Sequence, residues 1–193
     1  MNMNYDKDIE FYFYSKSDDK PFPGKGTKEK IPESKRADYE ELSKIPQWRK
    51  KLSNFWLAEF DLDGHKWASV EHYYQGSKFR KQNPEFYVKF SLDSGSELSK
   101  DPNMAKSAGG KTGKVAGKQF RDKNIKVDDD FFTTDRVNQE MNDAQYAKFN
   151  QNPDLKTMLL ATKDAKLMHI VSRNPVPVFF ENLVNMRNTF KQK

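Results

Sequence analysis

The 193-residue sequence predicts an α+β fold, on two observations. Strand-like and helix-like stretches follow one another in a mixed, non-alternating order, unlike the regular alternation of a doubly wound parallel sheet. Apolar residues make up only 35% of the chain, but 13% of it is aromatic. Fifteen Phe, eight Tyr and three Trp can seal a core that the aliphatic side chains alone could not. The length suits one globular domain, or one domain with an appendage.

The elements read as follows. Residues 11–15 (FYFYS) are short, aromatic and strand-like. Residues 16–34 hold Pro21, Pro23, Gly24, Gly26 and Pro32 among charges and read as a loop or insertion. Lys35 to Lys51 looks like a polar helix interrupted at Pro46, so the insertion as a whole spans 16–51. Phe55–Leu62 alternates as a strand, and Asp63-Gly64 turns it into a partner at His65–Ala68. Ser69 is a good N-cap for a helix over Val70–Lys81. A second helix starts at Pro84 and runs to Phe90, and a short one covers Asn103–Ala108. Asp135–Phe149 has helical periodicity, and Pro153–Ala161 begins another helix. Lys166–Val171 reads as a strand, Pro175 and Pro177 break the chain, and Phe179–Phe190 closes it as a helix.

Several chemistries are excluded by composition. Without cysteine there is no disulfide, thiolate zinc site or cysteine nucleophile. No apolar run approaches the roughly 20 residues of a membrane span, and the polar, acidic Met1–Glu10 stretch is unlike a signal peptide. A cytoplasmic location and no membrane partner are the expectations. His65, His72 and His169 have no short ligand spacing, so neither a metal nor any other cofactor is expected.

The net charge of +6 is local. Lys100–Lys126 holds eight Lys/Arg against two Asp, which is the whole +6, together with four of the nine glycines. Such a segment suits a phosphate or nucleic acid, although a solvated lysine-rich loop is the plain alternative. Within it, AGGKTGK (108–114) ends like a P-loop, but Ala105 stands where the first glycine belongs and no strand precedes it. That reading is rejected, though backbone amides among the glycines could still cradle a phosphate.

The run Ser69–Arg80 (SVEHYYQGSKFR) is the most informative. At about 100° per residue, Val70, Tyr73, Tyr74 and Ser77 share one face, with His72 and Phe79 roughly opposite. Glu71, Gln75 and Lys78 form a polar strip between these aromatic surfaces, as suits a helix lining a pocket. In the first turn the helix dipole would hold Glu71 ionised, favouring a base, cation stabiliser or nucleophile over a general acid. Plain dipole compensation explains a glutamate there equally well. Lys78 could pair with Glu71, hold a phosphate, or act as an amine nucleophile if desolvated; a snorkelling lysine is the bland alternative.

These residues carry a resemblance. FYSKSDD (13–19), LSNFW (52–56), DGHKWASVEHYYQGSKF (63–79), AKSAGG (105–110), AQYAKFNQNPDLKTMLLATKDAKL (144–167) and NLVNMR (182–187), in this order, resemble the NADAR family of YbiA-like N-glycosidases. The form is similar to members with a long insertion before LSNFW. The resemblance implies a single compact, helix-rich α+β domain over 1–193, with a small sheet and a ribose-phosphate pocket. It also implies hydrolysis of an N-glycosidic bond, either of ADP-ribose on guanine bases of nucleic acid or of aminouracil ribose-phosphates in riboflavin synthesis. Glu71 matches the catalytic position, and Asn54, Phe55, Tyr74 and Gln75 match pocket motifs.

On this reading Phe55 or Trp56 stacks on the base, and Lys106, Gly110 and Lys111 serve the phosphates. His169 falls where relatives often carry Glu, with Arg173 close by. Two departures stand out. Where relatives have R-x-x-W-E, this chain reads KVDDDFF, so Phe131 or Phe132 would replace the tryptophan ring. Where relatives have an acidic residue and a WG pair, it reads SRNPVPVFFEN, which leaves room for a non-catalytic reader of ADP-ribose or nucleic acid.

Overall fold

A computed structural model describes residues 5–171 and 176–192. In chain order the elements are β1 (Asp6–Phe13), α1 (Glu40–Ser43), α2 (Trp48–Lys51), β2 (Phe60–Leu62), β3 (His65–Trp67), α3 (Val70–Ser77), α4 (Pro84–Val88) and α5 (Pro102–Ala108). They continue with β4 (Lys114–Val115), β5 (Lys118–Gln119), α6 (Arg136–Gln151), α7 (Pro153–Ala161), β6 (Ala165–His169), β7 (Val178–Phe179) and α8 (Glu181–Lys191). Helices dominate and the sheets are small, as an α+β fold requires. No described helix is long and apolar enough to cross a membrane.

The chain forms two compact units. The first joins the segment ending at Trp56 to the one beginning at Pro153. There β1 buries Ile9, Phe11 and Phe13 at every second position, the period of a strand with one covered face. The Phe11 ring meets Tyr39 and Trp48 edge-on at 5.1 and 5.2 Å. β6 lies between β1, to which it is parallel, and β7, to which it is antiparallel. A parallel neighbour needs a crossover, and here that crossover contains the entire second unit. One buried ion pair orders the insertion. Arg49 Nε and Nη2 donate to the Glu29 carboxylate at 2.6 and 2.7 Å, and the same carboxylate accepts the Gly24 and Gly26 amides.

The second unit spans Leu57–Asn152. Asp63 and Gly64, both at positive φ, make the β2–β3 turn. Trp67, Tyr73, Phe79, Phe86, Tyr87 and Phe90 form its aromatic core, and α5 and α6 pack on α3.

Several elements are shorter than the sequence predicts. The Lys35–Lys51 helix is a 3-10 segment (Glu33–Tyr39) followed by α1 and α2, with Gln47 left-handed at the break beside Pro46. Phe55–Leu62 is a strand only from Phe60, because Ser53 folds 53–56 into a turn through its contacts with the Phe55 and Trp56 amides. The strand expected over Lys166–Val171 ends at His169, and Phe179 belongs to β7 rather than to the last helix. The predicted Val70–Lys81 helix stops at Ser77. Its last carbonyls are taken from outside: Arg136 Nη2 donates to Ser77 O at 2.6 Å and the Asp128 amide to Lys78 O at 2.7 Å. The Asp128 carboxylate then accepts the Lys81 and Gln82 amides.

Candidate active site

Helix α3 is started by Ser69, whose Oγ accepts the His72 amide at 3.4 Å. The helical period then aligns Glu71, Gln75 and Lys78 as a hydrogen-bonded series. Gln75 Nε2 donates to Glu71 Oε1 at 2.8 Å, and Lys78 Nζ donates to Gln75 Oε1 at 2.6 Å and to Gly109 O at 3.3 Å. All three side chains are buried, with exposures of 7, 5 and 8%. Lys78 is therefore not a snorkelling lysine. Gly109 is required where α5 ends, since a Cβ there would fall 2.2 Å from Gln75 Oε1.

Burial sets the charges. It pushes the Glu71 carboxyl upward, against the Gln75 hydrogen bond and the charges of Lys106 and Lys78. This works against the helix N-terminus, whose dipole favours the carboxylate by at most about 1 kcal/mol near a surface, because desolvation disfavours a buried charge. Burial also pushes Lys78 down to about 8, with Arg121 and Lys106 acting in the same direction and Glu71 opposing. At pH 7 that leaves roughly a tenth of the amine neutral, a share that grows as pH rises towards 8.

Lys78 opens onto a cavity of about 300 Å³ lined by Gly109, Gly110, Lys111, Arg121, Val127 and Phe132. Glu71 stands behind that wall, joined to it through Gln75. The amides of Gly109 and Gly110 already donate to Ala105 O and Ser107 O, closing α5, so those two amides do not supply the phosphate cradle expected of the glycines. Phe131 is buried edge-on to Tyr74 at 5.7 Å, whereas Phe132 is 62% exposed, with its ring 6.0 Å from Lys78 Nζ. The Tyr74 ring lies 5.1 Å from the same nitrogen. Between the two residues offered by the sequence for the missing tryptophan, Phe132 is the ring that faces the cavity.

The acidic run after the basic segment is structural. Arg136 Nη1 pairs with Asp128 and Asp130, both at 2.8 Å, and its Nε with Glu140 at 2.9 Å. Glu140 also accepts the Tyr73 hydroxyl and pairs with Arg80. This network fixes the Phe131–Phe132 turn to the end of α3.

Thus Glu71, Tyr74, Gln75, Lys78, Lys106, Gly110 and Lys111 fall in one unit, with Lys106 exposed on the last turn of α5 and acting by charge on both Glu71 and Lys78. Asn54, Phe55 and Trp56 belong to the other unit, in the turn after α2, where Lys51 Nζ lies 5.9 Å from the Trp56 ring. His169 is there too, on β6, in contact with the rings of both Phe13 and Phe180. Arg173 lies outside the described residues. Arg121 and Gly109 are additions to the residues picked from sequence; the single arginine among the lysines of 100–126 was the available signal. Among the described residues no His, Asp and Glu side chains gather into a group able to hold a metal ion.

The NADAR domain model matches residues 36–176, most of the chain. The chain belongs to the NADAR family. That family includes N-glycosidases. The fold is similar to that of the Escherichia coli protein YbiA, solved by NMR, with a TM-score of 0.56 and 21% identity, covering 99% of this chain and 88% of that one. No curated protein matches the chain. For a NADAR domain, the resemblance carried by the sequence motifs and the α+β class are thereby established.

Proposed function

We propose that this NADAR protein is an N-glycosidase that removes ADP-ribose from guanine bases of nucleic acid. The observation that carries the reading is the buried Glu71–Gln75–Lys78 series ending in an amine at a cavity wall. A depressed lysine is a competent nucleophile. Its neutral Nζ attacks the ribose C1′, the glycosidic electron pair leaves with the base, and the base takes up a proton. The ribose ring then opens by C1′–O4′ cleavage, O4′ is protonated, and the proton lost from nitrogen leaves a C1′ imine. Water adds to the imine and expels the amine, returning free ADP-ribose and Lys78. The cationic charge on the sugar and nitrogen along this path is balanced by Glu71, which the Gln75 amide holds in register. Phe132 supplies a face for the departing base.

The test is incubation with an oligonucleotide bearing ADP-ribosyl-guanine, and in parallel with an aminouracil ribose-phosphate, following base release. Glu71→Gln abolishes release with an unchanged circular dichroism spectrum. Full activity in that variant refutes the assignment of Glu71. Borohydride added during turnover traps the sugar on Lys78, as seen by peptide mass; trapping elsewhere refutes the covalent path. Binding of ADP-ribose without release of either base favours the non-catalytic reader.

A further inference from the structure

The basic segment is not uniform. Lys111, Lys114, Lys118, Lys123 and Lys126 are exposed, whereas Arg121 is half-buried in the cavity wall. Its placement is detailed. The guanidinium lies 5.2 Å from the Phe79 ring, and Nη2 donates to Lys111 O at 3.0 Å. The Arg121 amide donates to Gly113 O at 3.2 Å, and its carbonyl accepts from Gln119 Nε2 at 2.5 Å. Gly113 lies at φ +67°, and a Cβ there would come within 2.7 Å of Arg121 Cβ. The chain therefore turns tightly around this one side chain, and β4 and β5 close the turn as a hairpin.

Its electrostatic surroundings are one-sided. Arg49, Arg80 and Arg136 each pair with a carboxylate. Among the described residues no carboxylate pairs with Arg121. Four cations, Lys78, Lys106, Lys111 and Arg121, stand at or beside the cavity, against Glu71 behind its wall. A partly desolvated guanidinium without a counter-charge is costly unless an anion completes it, and its fork is shaped for phosphate oxygens.

We infer that Arg121, helped by Lys111, is the phosphate-binding residue of this cavity, holding the phosphate ester of a ribose substrate in the space that Lys78 and Phe132 also line. The inference rests on the glycosidase reading for its substrate, but not for the site itself. The phosphate fixes the sugar at one end while the ring at 132 takes the base at the other. Selectivity for phosphorylated over unphosphorylated ribosides follows.

Calorimetric titration of the full chain with ADP-ribose, ribose 5-phosphate and inorganic pyrophosphate tests this. Arg121→Gln weakens ADP-ribose binding by roughly 10- to 100-fold, the strength of a charge-assisted hydrogen bond, and Lys111→Gln weakens it less. Equal affinity in wild type and Arg121→Gln overturns the inference. Should Arg121→Gln fail to fold, Arg121→Lys keeps the charge and loses the fork, and an unchanged affinity in that variant overturns it too. A matching loss with ribose 5-phosphate assigns the phosphate on ribose C5; a loss confined to ADP-ribose and pyrophosphate assigns the second phosphate. Arg121-dependent binding without base release leaves the site standing and removes the glycosidase reading. Base release with an unchanged KM in Arg121→Gln does the opposite.

Discussion

Replacing Lys78 by Met separates the stability of this protein from its chemistry, and the outcome changes sign with pH. In the native state the amine falls from an ordinary 10.5 to about 8, chiefly through burial. At roughly 1.36 kcal/mol per pH unit, that is a cost of about 3 kcal/mol whenever the group is charged in both states. Below pH 8 the folded and unfolded chains both carry the proton, so the cost is fully present. Between pH 8 and 10.5 the folded chain has released it and the unfolded chain has not, so wild-type stability rises with pH. The methionine side chain abolishes the cost but leaves Gln75 Oε1 and Gly109 O without their donor, at about 1 kcal/mol each. Lys78→Met is then about 1 kcal/mol more stable than wild type at pH 7 and about 2 kcal/mol less stable above pH 10.5. Urea unfolding of both proteins across this range measures the difference directly, since other titrating groups are common to the pair. A difference that stays constant with pH refutes the burial account of Lys78, as does destabilisation already present at pH 7.

Three further outcomes follow from the same geometry. With Lys78 as nucleophile, the single-turnover rate rises with pH and levels off above about 8; a rate falling over that range excludes the free amine. Phe132→Ala raises KM by roughly 10- to 100-fold, in line with about 1–3 kcal/mol per stacked base. Its melting temperature stays the same because the ring is exposed, and an unchanged KM removes the ring from recognition. Arg136→Met leaves the buried Asp128 without its ion-pair partner, while Glu140 keeps Arg80, costing about 3–5 kcal/mol in chemical denaturation; a loss below about 1 kcal/mol would show that the network is not needed.

What the sequence revealed was local in origin. Ser69 caps its helix and Asp63-Gly64 turns its hairpin because both act on backbone within three residues. The Glu71–Gln75–Lys78 strip was legible because the helical period alone brings these residues into line. The early end of α3 was not, since the groups that claim its last carbonyls, Asp128 and Arg136, come some fifty or more residues later. The same holds for Glu71: sequence shows its place in the first turn, but the burial that works against the dipole is a tertiary property. The hairpin over 114–119 was hidden because its turn is Ala116-Gly117, without the usual Asn-Gly signal. Arg121 differs locally from its lysine neighbours only in residue type, and its packing on Phe79 is again tertiary.

The clamp around Asp128 divides labour in a way that bears on how the protein can change. The Phe131–Phe132 turn is anchored through backbone and carboxylates, while the ring at 132 itself carries none of the anchoring. A different side chain at that one exposed position would therefore present a different surface to the cavity and leave the amine at 78 where it stands. On the proposed glycosidase reading, substrate range can drift at position 132 while Lys78 and Glu71 are inherited unchanged, which makes that site the natural place to begin retargeting the protein by selection.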